Sequence, residues 1–183
     1  MGFKSSTKDY GSYAKFKRTG EEFLDIHLQF PYGYMCGGDT GTGVTAVVDK
    51  LKFEDGSVAA QASADLGTAI WRDDGIFTVM GSGYICGGFD GSNVAQTACY
   101  KTNYLTEVSS TITGSIGTGR GNSNCFCNTT YSDTPYGYVA GGITTVSLTA
   151  QTNVSEKLST KTDTFTSISN LPIALSESAA IVN

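Results

Sequence analysis

The stretch "GYMCGG" at 33–38 recurs as "GYICGG" at 83–88 and as "GYVAGG" at 137–142. An aromatic, an aliphatic and then a small residue read as the end of a buried strand. The two glycines that follow let the backbone bend, or approach a neighbouring strand, where a Cβ would clash. One Gly-Gly pair carries little weight. Three of them, with Gly87 50 residues after Gly37 and Gly141 54 residues after Gly87, mark a stacked or radial array.

Other features fall into line once the copies are aligned on the doublet. Upstream lie "FLDIHLQF" (23–30), "GIFTVM" (75–80) and "CFCNTT" (125–130). Downstream come "VTAVVDKLKF" (44–53), "VAQTACYKTNY" (94–104) and "LTAQTNVSEKL" (148–158), then "GSVAAQAS" (56–63), "TEVSSTIT" (106–113) and "DTFTSIS" (163–169). These runs mostly alternate and are joined by Gly, Ser, Asp or Asn turns, so each copy offers four short strands. No segment carries a helical period. The pattern predicts an all-β chain of three four-stranded antiparallel modules at about 22–74, 75–124 and 125–174.

Composition agrees. The chain has 23 Gly, ten Tyr, nine Phe and only three Pro in 183 residues, a mixture suited to strands and tight turns. No apolar run approaches the roughly 20 residues of a membrane span. The N-terminus is polar and basic, unlike a cleaved signal peptide.

The net charge of −5 hides an asymmetry: Lys4, Lys8, Lys15, Lys17 and Arg18 stand against the single acid Asp9, so residues 1–20 carry +4 and the rest −9. The sequence therefore divides into a basic arm (1–21) and a repeat domain (22–183). The arm suits an acidic partner surface or nucleic acid, or is simply solvated, whereas the acidic body speaks against nucleic-acid binding by the main domain.

Of five cysteines, Cys36 and Cys86 hold a place that Ala140 fills in the third copy, which points to a small buried side chain and not to a ligand. Cys125 and Cys127 share a strand face and are too far apart along an extended strand to bridge each other, which leaves buried free thiols as the expectation and a bridge across strands or to a partner chain, or a metal, as the alternatives. With one histidine and no CxxC pair, a zinc site is not expected.

Taken together, the double glycine ending a strand (Gly37-Gly38, Gly87-Gly88, Gly141-Gly142) and "TDTFTSISNLP" (162–172), with Phe165 before Leu171-Pro172, resemble the Kelch-like repeats of β-propellers over about residues 22–183. Val58 and Val108 stand where that family carries the later aromatic, and Trp71 falls elsewhere. The "GY–GG" stretches, with "VVDKLKFEDGS" (47–57) and "SEKLSTKTDTF" (155–165), resemble the degenerate Kelch-like arrays of bacteriophage tail-fibre and other virion proteins. That resemblance implies propeller blades, a structural or adhesion role in a virion, other virion proteins or identical subunits as partners, and a host-surface glycan or protein as receptor.

A propeller closes with four to eight blades, and this chain supplies three. "LSESAAIVN" (175–183) reads as the first strand of a further module. The expectation is that Ala179, Ala180, Ile181 and Val182 pair outside their own module, completing the propeller-like array by oligomerisation; the alternative is that the strand caps its own blade.

Catalytic patterns are sparse. His27 shares a strand side with Asp25, a pairing expected to be a surface or half-buried histidine. "GTGRGNSN" (117–124) lacks the Lys-Ser/Thr ending of a phosphate loop and reads as an inter-strand loop. Asp73 and Asp74 in "WRDDG" read as a solvated turn between strands. Arg72 and Arg120 sit at roughly matching places before the first strands of modules two and three, with a packing or turn role favoured over a ring-face contact. A copper oxidase of the Kelch-blade kind needs more histidine than one. The sequence therefore predicts no catalysis, no cofactor and no metal. The competing functions are a cellular Kelch-type interaction module and a carbohydrate-binding propeller.

Overall fold

The computed structural model describes residues 4–8, 13–18, 21–23, 32–77, 81–128, 136–147 and 149–177. It is all-β, with a single 3-10 turn at Ala62–Ala64 among the described residues. The strands are β1 (Lys4–Lys8), β2 (Tyr13–Arg18), β3 (Glu21–Phe23), β4 (Tyr32–Cys36), β5 (Val48–Lys52), β6 (Val58–Ala60), β7 (Asp74–Phe77), β8 (Ser82–Cys86), β9 (Cys99–Asn103), β10 (Val108–Thr111), β11 (Asn124–Cys127), β12 (Tyr136–Ala140), β13 (Ser155–Ser159) and β14 (Thr164–Ser167). They form the sheets β1-β2-β3, β4-β5-β6, β7-β8-β9-β10 and β11-β12-β13-β14. Modules two and three are thus four-stranded antiparallel meanders in simple sequence order.

The chain divides into two compact units. One comprises Met1–Met35 with Lys50–Ala59, and the other Cys36–Asp49 with Ala60–Asn183. The first unit holds the β1-β2-β3 sheet, in which Lys4 pairs with Lys17 and Lys8 with Tyr13, so the backbone of the basic arm is strand. The second unit holds both four-stranded sheets, with β7 and β11 as neighbours. The expected first strand at 23–30 falls almost wholly outside the described residues, as do His27 and Asp25.

The predicted strands after each doublet begin later than the alternation suggested. The reason is a backbone loop back to the glycines: Thr45 N–H donates to Gly38 O (3.0 Å), Gln96 to Gly88 O (2.8 Å) and Thr152 to Gly142 O (2.9 Å). Those residues spend their hydrogen bonds there, and regular pairing starts only at Val48, Cys99 and Ser155.

The core of modules two and three is one cluster of Tyr84, Cys86, Cys99, Ile112, Ile116, Cys127, Val139 and Leu158. Period-2 alternation puts Ser82, Tyr84 and Cys86 of β8 on its inner face. Each large apolar side chain so buried contributes about 1.5–3 kcal/mol. All five thiols are free. Cys86 lies directly across from Cys99 in the register, and burial holds the Cys86 and Cys125 thiols well above the usual range. Cys86 serves as a small core hydrophobe, as the Cys-to-Ala exchange at 140 implied.

Candidate functional site

The glycine doublets build three copies of one joint. Their first glycines donate across the hairpin, Gly37 to Val47 O (3.0 Å), Gly87 to Ala98 O (3.1 Å) and Gly141 to Val154 O (2.9 Å). Their second glycines receive the segment that leaves the module: Gly38 donates to Ile70 O (2.7 Å), Gly88 to Arg120 O (2.8 Å) and Gly142 to Leu175 O (2.7 Å). Both glycines hold φ between 65° and 117° in every copy, a region closed to most L-residues. A Cβ on Gly37 would sit 2.7 Å from Ile70 O, and one on Gly141 would sit 2.6 Å from Leu175 O. The first glycine of each doublet is therefore required twice over, by backbone conformation and by close approach; the second is required by conformation, and at Gly88 and Gly142 by close approach as well.

The first two leaving segments then meet the next module. Between modules one and two, Tyr100 packs on Gly67, and Ser63 Oγ donates to Glu107 O (2.8 Å). Between modules two and three, Glu156 takes the place of Tyr100. Its Oε1 accepts from Gly117 N (2.6 Å), and its Oε2 accepts from Arg120 Nη2 (2.7 Å). Arg120 is 0% exposed and also donates to Thr118 O (3.0 Å), while its Nε has no partner. The "GTGRGNSN" loop is thus the seam itself. Arg120 matches Ile70 and Leu175, not Arg72, which corrects the sequence alignment of the two arginines; it is a packing residue.

The tyrosine of the repeated hexamer acts across the same seam. Tyr84 Oη donates to Asp163 Oδ1 (2.8 Å), and Lys101, its cross-strand neighbour, donates to both Asp163 oxygens (3.0 and 2.9 Å). Burial, then the Asp163 carboxylate, drives the Tyr84 hydroxyl well above its ordinary value. Asp163 holds its place through a left-handed φ of 52°, and Glu107, at the same point of the preceding module, has φ 54°.

A polar row follows the seams. Asn122 N–H donates to Arg72 O (2.8 Å), Glu177 N–H donates to Asn122 O (3.2 Å), and Asn122 Nδ2 donates to Glu177 Oε1 (2.8 Å). Arg72, Asn122 and Glu177 all have positive φ and stand at equivalent points of successive modules. Asp73 and Asp74 lie beside this row and are half-buried, so the expected solvated turn is incorrect. Burial raises both carboxyls to about 6, opposed for Asp74 by the Ser123 hydroxyl, which donates to Asp74 Oδ2 (3.0 Å). Burial and the Asp73 charge push Cys36 up to about 12. Carboxyls tuned this way can hold or release a proton near neutrality. Among the described residues no group of three or more His, Cys, Asp or Glu is placed to hold a metal ion.

The loops after the doublets are clipped from within. Asp39 Oδ1 accepts from Gly41 N (2.8 Å), and Asp90 Oδ1 accepts from Ser92 N and Val94 N (both 2.9 Å). Arg72 Nη1 donates to Val146 O (3.2 Å) in the third loop. These turns expose backbone and short polar side chains on a fixed frame. The six motif glycines are brought into their joints as described. The side chains of Lys4, Lys8, Lys15, Lys17 and Arg18, and the strand candidates Ala179, Ala180, Ile181 and Val182, lie outside what is described, although Leu175, the first residue of the expected extra strand, bridges Thr152 of module three. No helix among the described residues is long and apolar enough to cross a membrane. No protein-family model matches the chain, and no curated protein matches it.

Proposed function

We propose that the chain is a non-enzymatic structural or adhesion component of a bacteriophage particle: a tail-fibre, tail-associated or decoration protein. In this reading it presents a propeller-like array of Kelch-like modules as a binding platform, completed by modules of other virion proteins or of identical subunits. The observation that carries it is the thrice-repeated joint, in which each doublet closes on the segment leaving its own module, and the first two of those segments close on the next module. Such a frame is rigid, and the loops 39–43, 89–93 and 143–147 on it are internally clipped, the arrangement in which recognition surfaces are usually built. The basic arm fastens to an acidic surface of another virion protein, and the host-side ligand is a surface glycan or protein. Immunoblotting of density-purified particles tests the idea. The protein is expected to band with intact virions, and recovery only in the free soluble fraction of infected cells removes the proposal.

A further inference from the structure

The Tyr84–Lys101 pair exists a second time. In β12 and β13, Tyr138 stands directly across from Lys157, in the register that sets Tyr84 across from Lys101. Module two uses its pair to grip Asp163 of module three. In module three, Tyr138 stacks on Phe126 (centroids 5.1 Å apart), and Lys157 Nζ lies 4.4 Å over the Tyr136 ring. No described carboxylate lies within ion-pair distance of Lys157. The apolar surroundings of this second pair are open too. Ile112, which leaves module two under cover, is 9% exposed, whereas its counterpart Ile168 is 37% exposed, and Ile173 further along is 65% exposed.

We infer that the Tyr138–Lys157 pair is an open carboxylate clamp. With Ile168 and Leu175 it docks a further β-module whose turn carries Asp or Glu at the left-handed position of Glu107 and Asp163. This rests on the modular-array reading above and narrows its choice of partner. Two positions of the seam set the match. At the first, outgoing Ile70 belongs to the seam covered by Tyr100, and outgoing Arg120 meets Glu156, so outgoing Leu175 calls for an apolar or aromatic residue. At the second, the clamp calls for an acid. The first module of a second copy offers Asp49 at the first position and Gly56 at the second, and so fails both. Facing Leu175 with Asp49 would bury a carboxylate without a partner, and Gly56 leaves the ammonium of Lys157 unanswered. The occupant is a module of the Tyr100/Glu107 kind, not this chain's own first module.

The test uses the full chain and two backbone-cyclised hairpin probes, residues 100–111 (with Tyr100 and Glu107) and residues 49–60 (with Asp49 and Gly56), followed by amide chemical shifts. The 100–111 hairpin is expected to bind saturably and to shift the Lys157 and Tyr138 resonances. Glu107→Gln in the probe, or Lys157→Met or Tyr138→Phe in the chain, weakens binding at least ~10-fold, the loss of one charge-assisted hydrogen bond. Lys157→Arg restores most of it, and the 49–60 hairpin does not bind. The inference is overturned by absence of saturable binding, by equal binding of both hairpins, by indifference to Glu107→Gln, or by Lys157-dependent self-association of the wild-type chain in light scattering. The Glu107→Gln arm leaves the chain untouched, so it decides the matter even where a chain variant misfolds. Hydrogen-exchange protection of the Gly38, Gly88 and Gly142 amides reports the array separately; a silent probe with those amides protected removes the clamp alone.

Discussion

The seam ahead of module two and the seam ahead of module three have the same backbone and opposite side-chain chemistry. In the first, Ile70 and Leu66 are buried and Tyr100 packs on Gly67. In the second, Arg120 and Glu156 form an ion pair almost wholly out of water, with side chains 0% and 4% exposed. The doublet hydrogen bonds are within 0.1 Å of one another in the two cases, 2.7 Å for Gly38 and 2.8 Å for Gly88. Geometry is therefore set by the glycines and the returning backbone, while the side chains are free to differ. A buried ion pair is a weak source of stability, because desolvation offsets much of its attraction. Its use here is better explained by selection: Arg120 accepts a module with an acid at position 156 and rejects one with Tyr. That hypothesis fails if exchanging the two seams' residues leaves folding and module order unchanged.

The shared backbone is where damage is expected to be greatest. Gly87→Ala adds a Cβ against the Arg120 carbonyl at a φ of 73°. The loss should exceed ~4 kcal/mol, combining strain with a clash that neither side can relieve. Gly41→Ala, at a φ of 80° with nothing within 4 Å, pays for conformation alone and costs about 1–2 kcal/mol. Urea unfolding of the two variants separates backbone approach from backbone angle; equal losses would mean that the joint is not close-packed.

The next largest effect tests the difference between the seams. Glu156→Gln leaves Arg120 charged and buried, and should destabilise by about 3–5 kcal/mol. The double variant Arg120→Ile with Glu156→Tyr copies the first seam into the second and is expected to recover to within about 1 kcal/mol of the parent, or better. Failure of the double variant to recover would show that the two seams are not interchangeable in shape. Tyr84→Phe is milder. It removes the hydroxyl that donates to Asp163 but keeps Lys101 on the carboxylate, for a loss of about 1–2 kcal/mol by thermal or chemical denaturation.

How far the sequence spoke depended on how local each feature is. Strand alternation and turn residues lie within a few positions of each other, so each of β7 to β14 overlaps a predicted run and strays at most one residue beyond it. The glycine doublets announced a bend and a close approach, and both are present. The role of the hexamer's tyrosine was hidden because its acceptor, Asp163, lies 79 residues beyond Tyr84. Arg120 was misaligned by two positions, although counting from the doublets places it correctly: Ile70 lies 32 residues after Gly38, and Arg120 lies 32 after Gly88. A polar residue at a counted apolar position was the available signal for the buried pair. Glu156 was not, since Asp49 and Tyr100 at its equivalents share no chemistry with one another.

The smallest effect concerns Asp73 and Asp74, where sequence suggested a solvated turn and the fold half-buries both. Each carboxyl is raised from 3.8 to about 6, first by burial. The folded chain therefore holds more protons than the unfolded chain between those values, and stability must rise as pH falls through that window. The contribution is complete below about pH 4 and is lost as pH climbs past 6. After discounting for partial exposure and for the coupling of adjacent acids, about 1–2 kcal/mol should separate pH 7 from pH 5. Other carboxylates begin to titrate near the lower end, so the informative comparison is with Asp73→Asn and Asp74→Asn, read as urea midpoints at the two pH values. Each amide should flatten the slope to a similar extent, because burial dominates both shifts and each carboxyl has hydrogen bonding that opposes it. A slope unchanged in both variants would return these two acids to the solvent.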